Sequence, residues 1–185
     1  MNGSLAAARA EAAEQHLLDV AGELFAEHGL GGCGMAQVAE AAGCSRATLY
    51  RYFETRHTLQ LAYVEREARR VGKVVAEATG SVADPGERIV TGVATALKAV
   101  RSSPTLASVF ASDTRLAGDL ASSSLMIQLV SSTFLGDVVG GPPAHVARAA
   151  HWLVRVMVSL LANPGRTPAA ERTLVRDFVV PGLLG

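Results

Sequence analysis

Ala39, Gly43 and Leu49 stand at the spacing Ala-x3-Gly-x5-Leu, weakly specific alone but weightier for the capped, arginine-bearing helix that it introduces. Ala39 is small where two helices must cross closely. Gly43 lets the chain reverse with backbone angles that other residues adopt only at a cost. Leu49, with Val38, fills the small core between the two helices. Ser45 follows the turn, and its hydroxyl is placed to cap a helix over 46–53 by accepting an orphan backbone amide. The spacing therefore predicts a helix-turn-helix whose second helix offers its first turns outward.

Helical patterning continues on both sides. Between 11 and 28, Leu17, Leu18, Ala21, Leu24 and Phe25 recur on one face, with Glu14, Asp19, Glu23 and Glu27 outside it. Gly29 stops that helix, and Gly31, Gly32 and Gly34 form a turn before a short helix over 35–42. Thr55 caps a fourth helix running to about 79, and the stretch from Gly80 to Gly86 is a loop by composition. Further helices are expected over 87–101, 105–112, 115–139, 144–162 and 169–184. Ser122-Ser123-Ser124 marks a bend or a polar face within the third of these. No run alternates long enough for a half-buried strand, and the 5% aromatic content favours packed helices over a sandwich. The expected fold is all-α, with a mobile arm over 1–10, a helix-turn-helix domain over 11–58 and a helical bundle over 59–185.

The 17 basic and 17 acidic residues cancel overall, so any anionic partner must be met by local charge. From 45 to 57 the chain carries Arg46, Arg51 and Arg56 against Glu54 alone, a net of +2. Such a concentration on an outward-facing helix suits a phosphate backbone. Cys33 and Cys44 have no metal spacing and no disulfide framework, which suits small thiols in a reducing compartment. The first fifteen residues lack a continuous apolar core, so no secretion signal is expected and the cytoplasm is the expected location. An enzyme is not expected, because no phosphate-binding loop, dinucleotide fingerprint or Gly-x-Ser-x-Gly occurs. Glu54-x-x-His57 matches half of a di-iron helix signature, but no second copy accompanies it, so neither metal nor cofactor is expected.

The runs Leu24-Phe25-Ala26-Glu27-His28-Gly29 and Val38 through Phe53 resemble the DNA-binding domain of the tetracycline-repressor (TetR) family. That resemblance implies a transcriptional regulator, most simply a repressor released from a palindromic operator by a small molecule. An activator, or an effector-independent DNA-binding protein of the same fold, is the runner-up. The resemblance also implies residue roles. Arg46, Ala47 and Thr48 match positions that face base edges: Arg46 suits a bidentate contact to guanine, and the Thr48 methyl suits a thymine methyl. Tyr50 and Tyr52 match positions whose hydroxyls reach phosphates, Arg51 suits either role, and Ser45 caps the helix. Arg56 replaces a usual lysine at the start of the fourth helix, keeping its charge beside the phosphate backbone. Gly34 stands where Ser or Thr usually caps the second helix and touches a phosphate, leaving only an amide for that contact. Cys44 stands where a larger apolar residue is usual.

By the same resemblance, the last two long helices pair with their copies in a homodimer. Trp152, Val156, Leu160, Leu174 and Phe178 are the expected interface residues. The middle helices are expected to enclose a pocket for a small lipophilic effector. Phe110, Met126, Leu129, Phe134 and Arg155 are its expected lining, with Asp113, Asp119 or an anionic ligand as the alternatives for the partner of Arg155.

Overall fold

A computed structural model describes residues 2–185, with side chains described from Leu5 onward except at 111 and 112. Among these residues every regular element is helical. Helix α1 spans Asn2–His28, α2 Met35–Ala41, α3 Arg46–Tyr52 and α4 Arg56–Thr79. Then come α5 (Pro85–Arg101), α6 (Pro104–Ser112), α7 (Thr114–Ser123), α8 (Leu125–Val139) and α9 (Pro143–Ala162). The C-terminal helix consists of α10 (Pro168–Leu174), a π turn over Val175–Val179 and α11 (Val180–Leu184).

Three sequence expectations differ from this architecture. Helix α1 begins at Asn2, through nearly the whole stretch expected as an arm, whose first residue lies outside the described residues. The cause is local, since five of the residues from Leu5 to Glu11 are Ala or Leu, the strongest helix formers. The helix expected over 115–139 is two helices, and the serine run contains the break. Ser124 is fully buried, and its hydroxyl accepts the Ile127 amide at 3.1 Å, so it caps α8 rather than bending one long helix. The helix expected over 169–184 is interrupted by its π turn. Pro181 has no amide for the carbonyl four residues back and its ring crowds that carbonyl, so a wider turn accommodates it.

Packing falls into two apolar clusters. The first joins Leu17, Leu18, Ala21 and Phe25 of α1 to Val38, Leu49 and Phe53. It continues onto Leu59 and Tyr63 of α4 and onto Leu106, Val109 and Leu120 of α6 and α7. Phe25 and Tyr63 meet edge to face with centroids 5.6 Å apart, in the geometry that the aromatic quadrupole favours. A Cβ on Gly22 would lie 2.7 Å from the Tyr63 ring, so only glycine permits this approach of α4 to α1. The second cluster gathers Ile89, Val90, Val93 and Leu97 of α5 with Leu135, Leu153 and Leu160 of α8 and α9. Val175, Val179 and Leu183 of the C-terminal helix complete it.

One ion pair fastens the second cluster. The Arg101 guanidinium donates to both oxygens of Glu171, at 2.7 and 2.8 Å, and to the Leu160 carbonyl at 2.8 Å. Gly165 N–H donates to the same carboxylate at 2.8 Å. Glu171 is 4% exposed, and its buried charge is satisfied by Arg101 and by Gly165, while Arg101 also reaches the Leu160 carbonyl, so the cluster ties α5, α9 and α10 together.

Candidate nucleic-acid interface

Helix α3 is short, and its two faces divide cleanly. Leu49 is fully buried against Val38, while Arg46, Ala47, Tyr50 and Arg51 are exposed. Gly43 adopts φ of +63°, the left-handed turn that the Ala-x3-Gly-x5-Leu spacing calls for. Nothing lies within 4 Å of a Cβ built there, so the backbone angle alone selects glycine. Ser45 caps α3 through the Thr48 amide at 3.1 Å, and its hydroxyl pairs with that of Thr48 at 2.9 Å. Thr48 is half-buried, and its hydroxyl is engaged by Ser45. Among the described residues the Arg46 guanidinium has no hydrogen bond or ion pair. Arg51 lies over the half-buried Tyr52 ring at 5.4 Å, a cation–π contact that holds the guanidinium beside the helix end.

Two residues expected at a phosphate are engaged inside the protein. The Gly34 amide donates to Gln37 Oε1 at 2.9 Å, so the side chain of α2 itself caps the helix start. Arg56 donates to the carbonyls of Leu30 (3.3 Å) and Gly31, both in the loop between α1 and α2. Gln60, one turn further along α4 and buried, donates to the same Leu30 carbonyl at 2.7 Å. Together Arg56 and Gln60 lash that loop to α4. Cys33 sits in this loop, and burial pushes its thiol above the ordinary value, against the opposing pull of Arg56, so the protonated, unreactive form is favoured.

Further contacts fix the helix-turn-helix on the rest of the chain. Arg66 donates to Asp19 at 2.7 Å and to the Leu18 carbonyl at 3.3 Å. Thr105 donates to the Gly22 carbonyl at 3.1 Å, and the Ser108 hydroxyl lies between the carbonyls of Thr105 (2.8 Å) and Phe25 (3.2 Å), which seats α6 on the backbone of α1. Nothing in the sequence read alone singled out Gln60, Arg66, Thr105 or Ser108. The available signal was a polar residue on the face of α4 or α6 that also carries buried apolar residues, such as Gln60 beside Leu59.

Behind α6 lies a cavity of about 190 Å³ between α4, α5, α6, α7, α8 and α9. Phe110 and Phe134 line it, whereas Met126, Leu129 and Arg155 do not. Because α8 starts afresh at Ser124, its inward face is Ile127, Val130, Ser131 and Phe134. Leu125 and Leu129 point outward, 80% and 59% exposed. Arg155 is on the exposed side of α9 and has no ion pair with Asp113 or Asp119; the Asp113 carboxylate instead caps α7 through the Leu116 amide at 2.9 Å. Of the expected interface residues, Trp152, Leu174 and Phe178 are exposed, Val156 is half-buried, and Leu160 is buried within the second cluster. No described helix is long and apolar enough to cross a membrane.

Comparison with known proteins agrees with this geometry. Residues 17–63 match the family model described as bacterial regulatory proteins, tetR family. The uncharacterized HTH-type transcriptional regulator Rv1255c of Mycobacterium tuberculosis is 42% identical over 179 residues, which is 96% of this chain and 88% of that protein. The HTH-type transcriptional repressor AcnR of Corynebacterium diphtheriae is 36% identical over 63 residues, 34% of this chain and 33% of AcnR. Among solved structures, the TetR family repressor AlkX from a Dietzia strain, implicated in biodegradation of n-alkanes, superposes with a TM-score of 0.71. It is 21% identical, with 92% of this chain and 94% of AlkX covered. With a helix-turn-helix of matching sequence and a relative alike along nearly its whole length, the chain belongs to the TetR family of bacterial transcriptional regulators.

Proposed function

We propose that this protein is a homodimeric repressor that reads a palindromic operator and leaves it when a small lipophilic effector binds. The observation that carries the proposal is the division of α3. Its buried Leu49 fixes the helix, while Arg46, Ala47, Tyr50 and Arg51 are exposed on the outer face. An arginine free at the start of a capped helix is what a bidentate contact to guanine requires. Tyr50 and Arg51 lie one turn further on, where the phosphate backbone flanks the groove. Residues 11–58 thus serve as the reading head and 59–185 as the unit that binds the effector and pairs with its copy, within the cytoplasm.

Pairing is supported by the large apolar side chains left in water on α9 and the C-terminal helix. Trp152, Leu174 and Phe178 are 39%, 42% and 74% exposed. Covering them with a second copy removes that surface from water and sets two α3 helices on one side of the dimer. A spacing of about 34–36 Å then matches successive major grooves. Repression is favoured by the function named for AcnR, whose match covers 34% of this chain. The test is selection of full-length protein against random duplexes at fixed salt, followed by footprinting. A two-fold symmetric site is expected, occupied by one or two dimers and vacated on effector addition. Enrichment of no sequence, or of sites without symmetry, overturns the proposal.

A further inference from the structure

The cavity behind α6 is more selective than its apolar character alone suggests. Among its described lining residues no arginine, lysine or histidine appears. Ser131 brings a hydroxyl, and Glu67 brings the single ionisable side chain. The Glu67 side chain is 12% exposed, and its Oε2 accepts from Arg70 Nε at 2.9 Å, with Arg70 half in water on the outer side. The backbone around the cavity belongs to helices, whose interior amides are already spent in their own ladders. An anion entering here would therefore lose its water, find no cation in the lining and meet a carboxylate that already holds Arg70. An unpaired charge in such surroundings is strongly disfavoured.

Size narrows the choice further. An apolar cavity of about 150 Å³ stays dry and takes up benzene, and this one is about 190 Å³. Two glycines set that dimension. A Cβ on Gly92 would lie 2.5 Å from the Phe134 ring, and one on Gly72 would lie 2.6 Å from Val130. Helix α8 is thus seated in notches on α4 and α5, and the cavity is the space left between them.

We infer that the ligand of this cavity is an uncharged, predominantly hydrocarbon molecule of roughly ten non-hydrogen atoms or fewer, bearing at most one hydroxyl-type group, and that Glu67 helps to exclude carboxylates and other anions. The inference rests on the reading of this cavity as the effector site, and it goes further by fixing the ligand's charge and size.

The test compares 1-octanol with octanoate, two probes with the same chain length and different head charge, on the full-length dimer. Calorimetry gives the affinities, and methyl NMR signals of Ile127 and Met157, both on the cavity wall, report the site. Octanol is expected to bind saturably and shift both signals. Octanoate is expected to bind at least about tenfold more weakly at pH 7.5, with the gap narrowed in Glu67→Gln. Octanoate binding as tightly as octanol overturns the inference and leaves the effector site standing. Saturable binding of neither probe overturns the inference and the effector site together. If octanol binds at the wall without releasing operator DNA, the ligand class holds and release by effector falls.

Discussion

Replacing Glu171 with alanine removes the one carboxylate that Arg101 and Gly165 share. Breaking a buried pair from one side usually costs about 3–5 kcal/mol, because the remaining charge is left unpaired. Here Glu171 is buried but the Arg101 side chain is one-third exposed, so the abandoned guanidinium recovers part of its hydration. The unpaired Gly165 amide adds about 1 kcal/mol, and the expected loss is about 2–4 kcal/mol. For a chain of this length that lowers Tm by roughly 5–12 °C. The pH dependence gives a second signature. Hydrogen bonds from Arg101 hold the Glu171 carboxyl below its ordinary value of 4.5; burial opposes them, and the Gly165 amide assists. A carboxyl depressed by folding contributes stability that is complete above the unfolded value and fades as pH falls through the folded one. Urea unfolding of the parent and Glu171→Ala at stepped pH should therefore show a gap that is full at pH 6–7 and shrinks below about pH 4.5. A variant as stable as the parent at pH 7, or a gap unchanged down to pH 2, would refute this account of the clamp.

Other substitutions test the reading head and the dimer. Arg46→Ala should weaken operator binding by about 1–3 kcal/mol and relax selectivity at one base position, read by binding to a panel of single-base variants; uniform weakening would deny it a base contact. Arg56→Ala and Gln60→Ala should each release the Leu30 loop, lower stability by about 1–2 kcal/mol and weaken binding to every duplex. The slope of log K against log salt should stay unchanged in both; a slope reduced by about one in Arg56→Ala alone would return that residue to a phosphate. Phe178→Glu should shift the protein toward monomer in sedimentation at micromolar concentration, and a dimer unaffected by that charge would place the interface elsewhere.

Legibility from sequence followed the range of the interactions involved. The turn at Gly43, the cap at Ser45 and the burial of Leu49 each depend on neighbours within a few residues, and all were readable. Arg56 was read by its place in the family pattern, yet its partners Leu30 and Gly31 lie 26 and 25 residues earlier. Its choice between loop carbonyls and solvent depends on how α4 meets the α1–α2 loop, which local spacing does not encode. The cavity residues failed for a different reason. The run Ser122-Ser123-Ser124 reads as a bend or a polar face within one helix, but Ser124 as a cap restarts the helix, and the phase of every later residue follows from that start. Val130 consequently faces inward where Leu129 was expected. The clamp was the least accessible, since Arg101 and Glu171 are 70 residues apart and each looks like an ordinary surface charge.

Helix α6 is where the two halves of the proposed mechanism must meet. Leu106, Val109 and Phe110 form cavity wall, while Thr105 and Ser108 on the same two turns donate to carbonyls of α1. A nine-residue helix is too short to bend between these contacts, so displacement of its cavity side moves its α1 side as well. Leu106 and Val109 also belong to the apolar cluster that contains Leu49, which leaves little free volume to absorb the motion. The α4 route is stiffer still, because Arg56, Gln60 and Arg66 grip α1 and its following loop at several points. A ligand shifts such a device only by its differential affinity for two arrangements. In the proposed mechanism, filling the space beside Phe110 would favour whichever arrangement leaves that space larger, and the contacts of α6 with α1 would pass that preference toward the helix-turn-helix.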